Sequence, residues 1–471
     1  MAANSGVDIS KLSEVFPLTW SVDTKHDVFQ RWSQGFFFSE DEPTALIQNY
    51  GGPCSVIASV QAYLVRRLIF KKCKKAEKED WRTINDKDRQ HLLCQTLIDI
   101  WELVTTENFH VVLMKNHYIN EGSENERLET VQTIGESSTQ GEETCECTCK
   151  DYHRNICSQT ESQTQDVFHS ALRQFSCRKS EHLEDFIVKN IHQFEGTFGV
   201  LLFLYSILLS KGIENIKSEM DETLTSPLID PVHGHGGQSL VNLMLTGYAV
   251  SHVWDLERDI GGLILKGIPK QSSIGFLSLL ESMRYCEVGN FLKSPKEPIW
   301  LLASETHLTV LFTKENVDDK RPVDNAIRIF KTYDTQENGF IERAKLKDVL
   351  EELELESDQD YVSFMESCLD PDSSGIILLH TFLQVFYPEE KNSVSEQSDF
   401  AKCFPVYHYN GLAKCCSKED NRKKVVYSEG VCTLLSGDVI CLSDGPFLNC
   451  LRTKWPYVII DWKTEPKPSL N

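Results

Sequence analysis

One cysteine, Cys54, lies where the sequence predicts that a helix begins. The apolar residues after it recur with helical spacing, and Gly51-Gly52-Pro53 before it is typical of a turn into a helix. The unpaired N–H groups and the dipole at a helix N-terminus favour a thiolate. Gln48, six residues upstream, carries an amide that could fold back beside the sulfur. An activated thiol with hydrogen-bond donors nearby is what a thiol hydrolase needs.

A thiol hydrolase also needs a base, and His307 is the best candidate among the 14 histidines. It lies in residues 298–312, which are rich in β-branched and aromatic residues and predict a strand pair or one long bent strand. A cysteine on a helix followed later by a histidine on a strand is the order of papain-like folds. The other candidate bases are His233, His235 and His408.

Each of these residues also has a purely structural interpretation. Taken alone, Cys54 is a buried inert thiol, as most of the 16 cysteines must be, and His307 is a strand-face histidine with satisfied hydrogen bonds. The third residue that would orient His307 cannot be identified from the sequence. Glu305 is a guess, because alternation along a strand would put it on the same face as His307.

The composition excludes several classes of function. A net charge of −22 argues against nucleic acid as the main partner. We expect free thiols in an intracellular protein of the nucleus and cytoplasm, because the N-terminus has no secretion signal and the cysteines are scattered. The most apolar run, residues 198–209, is too short to span a bilayer and predicts a buried core helix, so we expect no membrane partner.

Four further segments lie between residue 119 and the predicted strand pair at 298–312. Residues 119–166 are polar and nearly free of large aliphatic residues, which predicts a disordered insertion. Cys145, Cys147, Cys149 and Cys157 lie inside it, but their spacing is not that of a usual zinc site. Residues 167–222 and 273–292 are predicted to be helical. Between them a loop, His233–Gly237, feeds a helix that begins at Gln238. Its two histidines lack a clear third metal ligand, and its glycines would let a substrate tail approach the backbone.

Two loops with the EF-hand pattern follow, beginning at Asp334 and at Asp370. Each has glycine at position 6 and isoleucine at position 8, and the flanking residues are predicted to be helical. Position 12, which should supply a bidentate glutamate, is Lys345 in the first loop and Thr381 in the second. We therefore expect a degenerate, calcium-free pair over 323–388, and strands over 401–471 that return to the first domain.

Four segments of the chain resemble the MINDY family of deubiquitinating cysteine proteases: Gln48–Cys54, Phe198–Ser206, Gln238–Gly247 and Ser304–Val310. The EF-hand-like pair and the segment Lys454–Tyr457 resemble one branch of that family. The resemblance implies hydrolysis of isopeptide bonds in ubiquitin chains linked through lysine-48 of ubiquitin. It also implies that Cys54 is the nucleophile, His307 its base and Gln48 the oxyanion-hole donor.

The resemblance sets the expectations for the whole chain. It implies an α+β protein with a papain-like cysteine protease core over 1–320 and 401–471, and an inserted all-helical EF-hand-like pair over 323–388. The expected partners are lysine-48-linked polyubiquitin and ubiquitinated proteins. We expect a monomer without cofactor or metal. The alternatives are an inactive ubiquitin-binding scaffold, an EF-hand adaptor, and an acyltransferase that uses the same cysteine and histidine.

Overall fold

The structure is a computed structural model of the chain. It describes residues 9–71, 81–115, 161–221, 226–315, 317, 322–334, 338–353, 355–388, 402–412, 425–435, 445–465 and 467–470. The chain divides into two units. The first comprises Met1–Lys314, Pro405–Cys432 and Cys441–Asn471, and the second comprises Glu315–Phe404 and Thr433–Ile440.

Helices dominate the first part of the first unit. In chain order the elements are α1 (Ile9–Thr19), α2 (His26–Trp32), β1 (Phe37–Phe38), β2 (Leu46–Ile47), α3 (Cys54–Arg66), α4 (Asp86–Val104), β3 (Phe109–Met114), α5 (Glu161–Ser170), β4 (Leu172–Cys177), α6 (Ser180–Glu195), α7 (Gly199–Lys211), α8 (Ile213–Glu219) and α9 (Gln238–Thr246). Helix α7 is apolar all round and buried from Gly199 to Leu209, as expected of a helix in the centre of a core.

Two predictions about this region need correction. Residues 167–222 are not all helical, because strand β4 interrupts them and pairs antiparallel with β3. Strand β4 is partly exposed without a regular alternation, and half of its residues are polar, so the sequence carries little strand signal. The predicted disordered insertion ends too late, because α5 begins at Glu161; its residues 119–160 lie outside the described part of the chain.

The next elements are short strands and one-turn helices, and the single helix predicted over 273–292 is not found. They are β5 (Glu257–Ile260), β6 (Leu263–Lys266), β7 (Gly275–Ser278), the one-turn helices α10 (Leu279–Ser282) and α11 (Asn290–Lys293), β8 (Ile299–Ala303) and β9 (Leu308–Phe312). Strand β7 is fully buried, and a short apolar run of this kind cannot be distinguished from a helix by periodicity alone. The strand pair predicted over 298–312 is confirmed, because β8 and β9 form an antiparallel hairpin.

The second unit contains two helix–loop–helix segments. Its elements are α12 (Pro322–Tyr333), β10 (Phe340–Glu342), a 3-10 turn (Arg343–Lys345), α13 (Leu346–Glu352), α14 (Gln359–Leu369), β11 (Ile376–Leu378) and α15 (Leu379–Phe386). Strands β10 and β11 pair antiparallel, with Ile341 opposite Ile377. Both isoleucines are buried in a separate apolar core that the four helices share.

The C-terminal elements are β12 (Lys402–Tyr409), β13 (Ser428–Leu434), α16 (Pro446–Arg452) and β14 (Val458–Trp462). They extend a six-stranded sheet in the order β14-β13-β12-β9-β8-β7. Strand β12 runs antiparallel to β9 with Tyr409 opposite Val310, and β7 runs parallel to β8. Helix α3 packs against β8 and β9. The sheet thus brings a late part of the chain beside the strand that begins after His307.

Within the described residues, a single helix long and apolar enough to cross a membrane is not found. Helices α7 and α8 pass the length and composition test only together, and they are bent by 81° at their junction. The free thiols of the described residues include Cys54, Cys94, Cys177, Cys286, Cys368 and Cys450.

Candidate active site

Cys54 is the first residue of helix α3, as the sequence predicts, and it is only 4% exposed. Its thiol lies 3.8 Å from the carbonyl oxygen of Gly52, which accepts a weak hydrogen bond from it. Gly52 has a φ of 131°, a backbone conformation that favours glycine. The backbone N–H of Leu308, at the start of β9, also faces the sulfur. The hairpin therefore brings the residue next to His307 into contact with the cysteine.

The charge of the Cys54 thiol differs from the expectation of a thiolate. Burial raises the pKa of Cys54 from 9.0 to about 11, while N–H groups of Leu308, Ser55 and Cys54 itself lower it by less. The helix start does act in the expected direction, but loss of water around a fully buried sulfur outweighs it. In the free protein the thiol is neutral at pH 7.

His307 lies just before β9, is 5% exposed and is oriented by Asn410. Its Nε2 is 2.8 Å from the carbonyl oxygen of Asn410. Because a carbonyl can only accept, Nε2 carries the proton, and Nδ1 of the neutral ring is then the basic nitrogen. Burial lowers the pKa of His307, and His235 lowers it further, whereas hydrogen bonds with Asn410 raise it. The ring is neutral at pH 7 and can act as a base.

Asn410 takes the place for which Glu305 was a guess. Glu305 is exposed in the turn between β8 and β9, where strand alternation does not apply, so it does not share a strand face with His307. The orienting group is a backbone carbonyl about a hundred residues further along the chain. Every residue has a backbone carbonyl, so the residue type at position 410 does not reveal this role. Asn410 is adjacent to Gly411, and only that turn signal was available.

Gln48 lies beside the cysteine turn and is 2% exposed. Its backbone N–H donates to the carbonyl of Gly411 at 2.8 Å, and its side-chain Nε2 donates to the carbonyl of Tyr50 at 2.9 Å. The amide has a second N–H for another acceptor. Gln34, which the sequence did not single out, accepts from the backbone N–H of Asn49 at 2.8 Å and so supports the same loop.

The loop His233–Gly237 lies directly against the cysteine turn. A Cβ at Gly236 would be 2.1 Å from Oγ of Ser55, and a Cβ at Gly52 would be 3.2 Å from the carbonyl oxygen of Gly234. The sequence suggested that these glycines admit a substrate tail. In the structure the cysteine turn itself packs against this loop, and only glycine leaves room for that contact.

The other candidate bases differ in environment. His408 is 1% exposed and packs edge-on against Phe447 and Trp462, and burial lowers its pKa to about 3. It is a neutral core residue. The side chain of His233 is 72% exposed and lies 3.3 Å from the carboxylate of Asp230. His235 lies close enough to His307 to lower the pKa of that ring.

No hydrogen bond joins the Cys54 thiol to the His307 ring in the part of the chain that the structure describes. Catalytic hydrogen bonds are often long before substrate binds, so the two residues are neighbours that are not yet paired. The described residues also contain no group of three histidine, cysteine or acidic side chains that could hold a metal. The cysteines between 145 and 157 lie outside the described part.

The raised pKa of Cys54 predicts how an uncharged alkylating agent reacts with it. With a pKa of about 11, roughly one thiol in 10⁴ is ionised at pH 7, so the rate should rise about tenfold per pH unit up to pH 10. The measurement is iodoacetamide labelling of the peptide containing Cys54, followed by mass spectrometry. A short unfolded cysteine peptide should instead level off above about pH 9. A rate for Cys54 that is already level between pH 7 and 8 would indicate a preformed thiolate.

Residues 22–321 match the family profile described as "Deubiquitinating enzyme MINDY-3/4, conserved domain". The chain is 42% identical over 467 residues to human ubiquitin carboxyl-terminal hydrolase MINDY-3, covering 97% of this chain and 99% of that protein. It is 40% identical over 497 residues to the MINDY-3 homolog of Drosophila melanogaster, covering 99% and 84%. It is 31% identical over 319 residues to the probable MINDY-4 hydrolase of Mus musculus, covering 65% and 37%. No solved structure matches the chain at a significant level.

Proposed function

The chain belongs to the MINDY-3/4 family of deubiquitinating enzymes, and from this we propose that it hydrolyses isopeptide bonds in lysine-48-linked polyubiquitin. In this proposal Cys54 is the nucleophile, His307 the base and Gln48 the oxyanion-hole donor. One observation carries the assignment: the N–H of Leu308, the residue after His307, faces the Cys54 sulfur at the start of a helix. The Asn410 carbonyl supports it by leaving Nδ1 of His307 as the basic nitrogen.

The proposed mechanism begins from a neutral thiol and a neutral imidazole. As the Cys54 sulfur attacks the carbonyl carbon of the terminal glycine of ubiquitin, Nδ1 of His307 takes the thiol proton. The side-chain amide of Gln48 and the N–H of Cys54 stabilise the oxyanion, and one such donor contributes roughly 3–4 kcal/mol. His307 then gives its proton to the leaving lysine amine as the C–N bond breaks. Water hydrolyses the thioester and regenerates the thiol.

A panel of ubiquitin chains tests the proposal. Chains of each linkage and of several lengths are incubated with the protein and with Cys54→Ala, and the products are separated by gel electrophoresis. We expect the lysine-48-linked chains to be cleaved fastest, and no chain to be cleaved by Cys54→Ala. Equal cleavage of all linkages would overturn the linkage preference, and cleavage that survives in Cys54→Ala would overturn the assigned nucleophile.

The inactive ubiquitin-binding scaffold is a second candidate, and one observation favours it. The buried, neutral thiol of Cys54 makes no hydrogen bond with His307 within the described residues. A ubiquitin whose C-terminus carries an electrophile separates the two candidates. An enzyme that aligns its site on binding should form a covalent adduct at Cys54 at pH 7.5, whereas a scaffold should bind the probe without forming an adduct.

We also propose the domain organisation that goes with this function. A papain-like core over 1–320 is completed by residues 401–471, and an EF-hand-like pair over 323–388 is inserted between them. The helix that begins at Cys54 and packs on β8 and β9 supports the papain-like core. The paired strands β10 and β11 between four helices support the EF-hand-like pair. We propose a monomer in the nucleus and cytoplasm.

The EF-hand-like pair is predicted not to need calcium. Asp370, the first residue of the second loop, accepts from the N–H groups of Ser374 and Gly375 at 2.7 and 2.8 Å. The guanidinium of Arg343 lies 3.8 Å from the Asp370 carboxylate and so supplies a positive charge there. With Lys345 at position 12 of the first loop, the donor set does not fit a calcium ion.

We therefore expect 1 mM calcium and 1 mM EDTA to give the same Tm within about 1 °C in thermal unfolding. A site filled a hundredfold above its Kd would stabilise the folded state by about 2.7 kcal/mol, which would shift Tm by several degrees. A calcium-dependent rise of that size would show that the loops bind calcium and would restore the adaptor interpretation.

A further inference from the structure

The loop that carries His235 is held in place by the end of helix α2. Nη1 of Arg31 donates to the carbonyl of His233 at 2.9 Å, and Nε1 of Trp32 donates to the carbonyl of Gly234 at 2.8 Å. The loop also closes on itself, because the N–H of Asp230 donates to the carbonyl of His235 at 2.9 Å. The carbonyls of His233 and Gly234 on the α2 side, and that of His235 inside the loop, fix the backbone from which the His235 ring projects.

The loop's position puts His235 near both proposed catalytic residues. Gly236, its neighbour, lies against Ser55 in the first turn of α3, one residue after Cys54. The ring is also close enough to His307 that a charge on it lowers the pKa of His307. The carbon atom that Cys54 attacks must lie between the sulfur and the His307 ring. A substrate held there would lie near the loop that carries His235.

The two histidines of the loop differ in their hydrogen bonds, although their rings are nearly parallel with centroids 6.3 Å apart. Nδ1 of His233 is 3.3 Å from the carboxylate of Asp230, and the side chain is 72% exposed. Nδ1 of His235 is buried and has no hydrogen-bond partner within the described residues. A buried polar atom without a partner is unfavourable, so this nitrogen would gain a hydrogen bond if the ring turned toward a group that arrives with the substrate.

We propose that His235 is a substrate-binding residue of this active site and that its Nδ1 hydrogen-bonds the main chain of the ubiquitin tail at the scissile peptide. The inference rests on the proposed function. An extended tail presents both N–H and carbonyl groups, and a neutral imidazole can donate at one nitrogen and accept at the other. Burial lowers the pKa of His235, as do Arg31 and His233, which keeps the ring neutral at pH 7.

The first test compares His235→Ala with His233→Ala, a matched control in the same loop. The substrate is ubiquitin with a fluorogenic amide at its C-terminus. We expect His235→Ala to lower kcat/KM about tenfold or more, the effect of losing one hydrogen bond to the reacting part of the substrate. His233→Ala should stay within about twofold of the unchanged protein. Iodoacetamide labelling of Cys54 should be the same in all three proteins, because that reagent does not use the tail site.

The second test uses His235→Asn and His235→Gln. The asparagine amide has a polar atom at the position of Nδ1, whereas the glutamine amide reaches the position of Nε2. We expect His235→Asn to retain most of the activity and His235→Gln to lose it to the level of His235→Ala. If His235→Ala does not fold, as judged by thermal unfolding, the comparison of His235→Asn with His235→Gln tests the proposal alone. Equal activities of these two variants would overturn it.

Other outcomes separate the possible failures. A His235→Ala protein as active as His233→Ala would show that His235 does not contact substrate. A parallel loss of cleavage and of iodoacetamide labelling would show that His235 only supports the cysteine turn, which also overturns the proposal. Full activity of Cys54→Ala in the same assay would instead contradict the proposed function, whatever His235 does.

Discussion

Replacing Cys54 by alanine should reduce cleavage of lysine-48-linked diubiquitin by at least about a thousandfold, to the background of the assay. The alanine has no nucleophile, and removing the nucleophile of a serine protease costs about as much as removing its whole catalytic triad. The substitution should leave the fold intact, because a methyl group fits where the thiol makes one weak hydrogen bond to Gly52. Initial rates and the thermal unfolding midpoint of both proteins check this expectation.

A second cysteine provides the control for Cys54→Ala. Cys368 is an exposed thiol in helix α14 of the second unit, far in sequence from the proposed site. Cys368→Ala should keep the rate of the unchanged protein within about twofold. If both variants cleave at the normal rate, the nucleophile is another residue, and if both lose activity, the loss is not specific to Cys54.

Replacing His307 by alanine should lower kcat/KM about 10³- to 10⁴-fold without preventing ubiquitin from binding. The imidazole is the proposed acceptor of the thiol proton, and the pKa of about 11 makes that acceptor necessary at pH 7. Because the variant retains the thiol, raising the pH should restore part of the activity as the thiolate forms. Rates from pH 7 to 10 for both proteins, with substrate binding measured separately, test the base role.

His408 is the matched control for the base. A charge on His307 lowers the pKa of His408, so the two residues lie near each other. The His408 ring is enclosed by Phe447 and Trp462, so His408→Phe keeps a ring in the same space. We expect His408→Phe to retain activity within about threefold. A large loss in His408→Phe together with an active His307→Ala would exchange the two assignments.

Much of the geometry around Cys54 could be predicted because its signals are local. A glycine-rich turn before an amphipathic run fixes where α3 begins, and β-branched and aromatic residues mark the hairpin of β8 and β9. The prediction of a helix over 273–292 was wrong because β7 is buried on both faces and therefore shows no alternation of apolar and polar residues. Strand β4 was missed because it is partly exposed without a regular alternation and half of its side chains are polar.

The remaining features of the site depend on contacts between distant parts of the chain. The Asn410 carbonyl reaches His307 only because β12 pairs with β9, and the Gly411 carbonyl holds Gln48 for the same reason. The pKa of Cys54 depends on how completely the folded protein excludes water from the sulfur, which local spacing does not report. Local sequence thus predicts the candidate reactive side chains, and tertiary pairing sets their orientation and charge.

The late position of strand β12 determines when the proposed site can form during synthesis. About a hundred residues separate His307 from Asn410, and a ribosome adds roughly 5–20 residues per second. For about 5 to 20 s a growing chain therefore contains its cysteine and histidine but not the carbonyl that orients the imidazole or the one that holds Gln48. We therefore expect the proposed catalytic centre to be complete only after translation has passed residue 411.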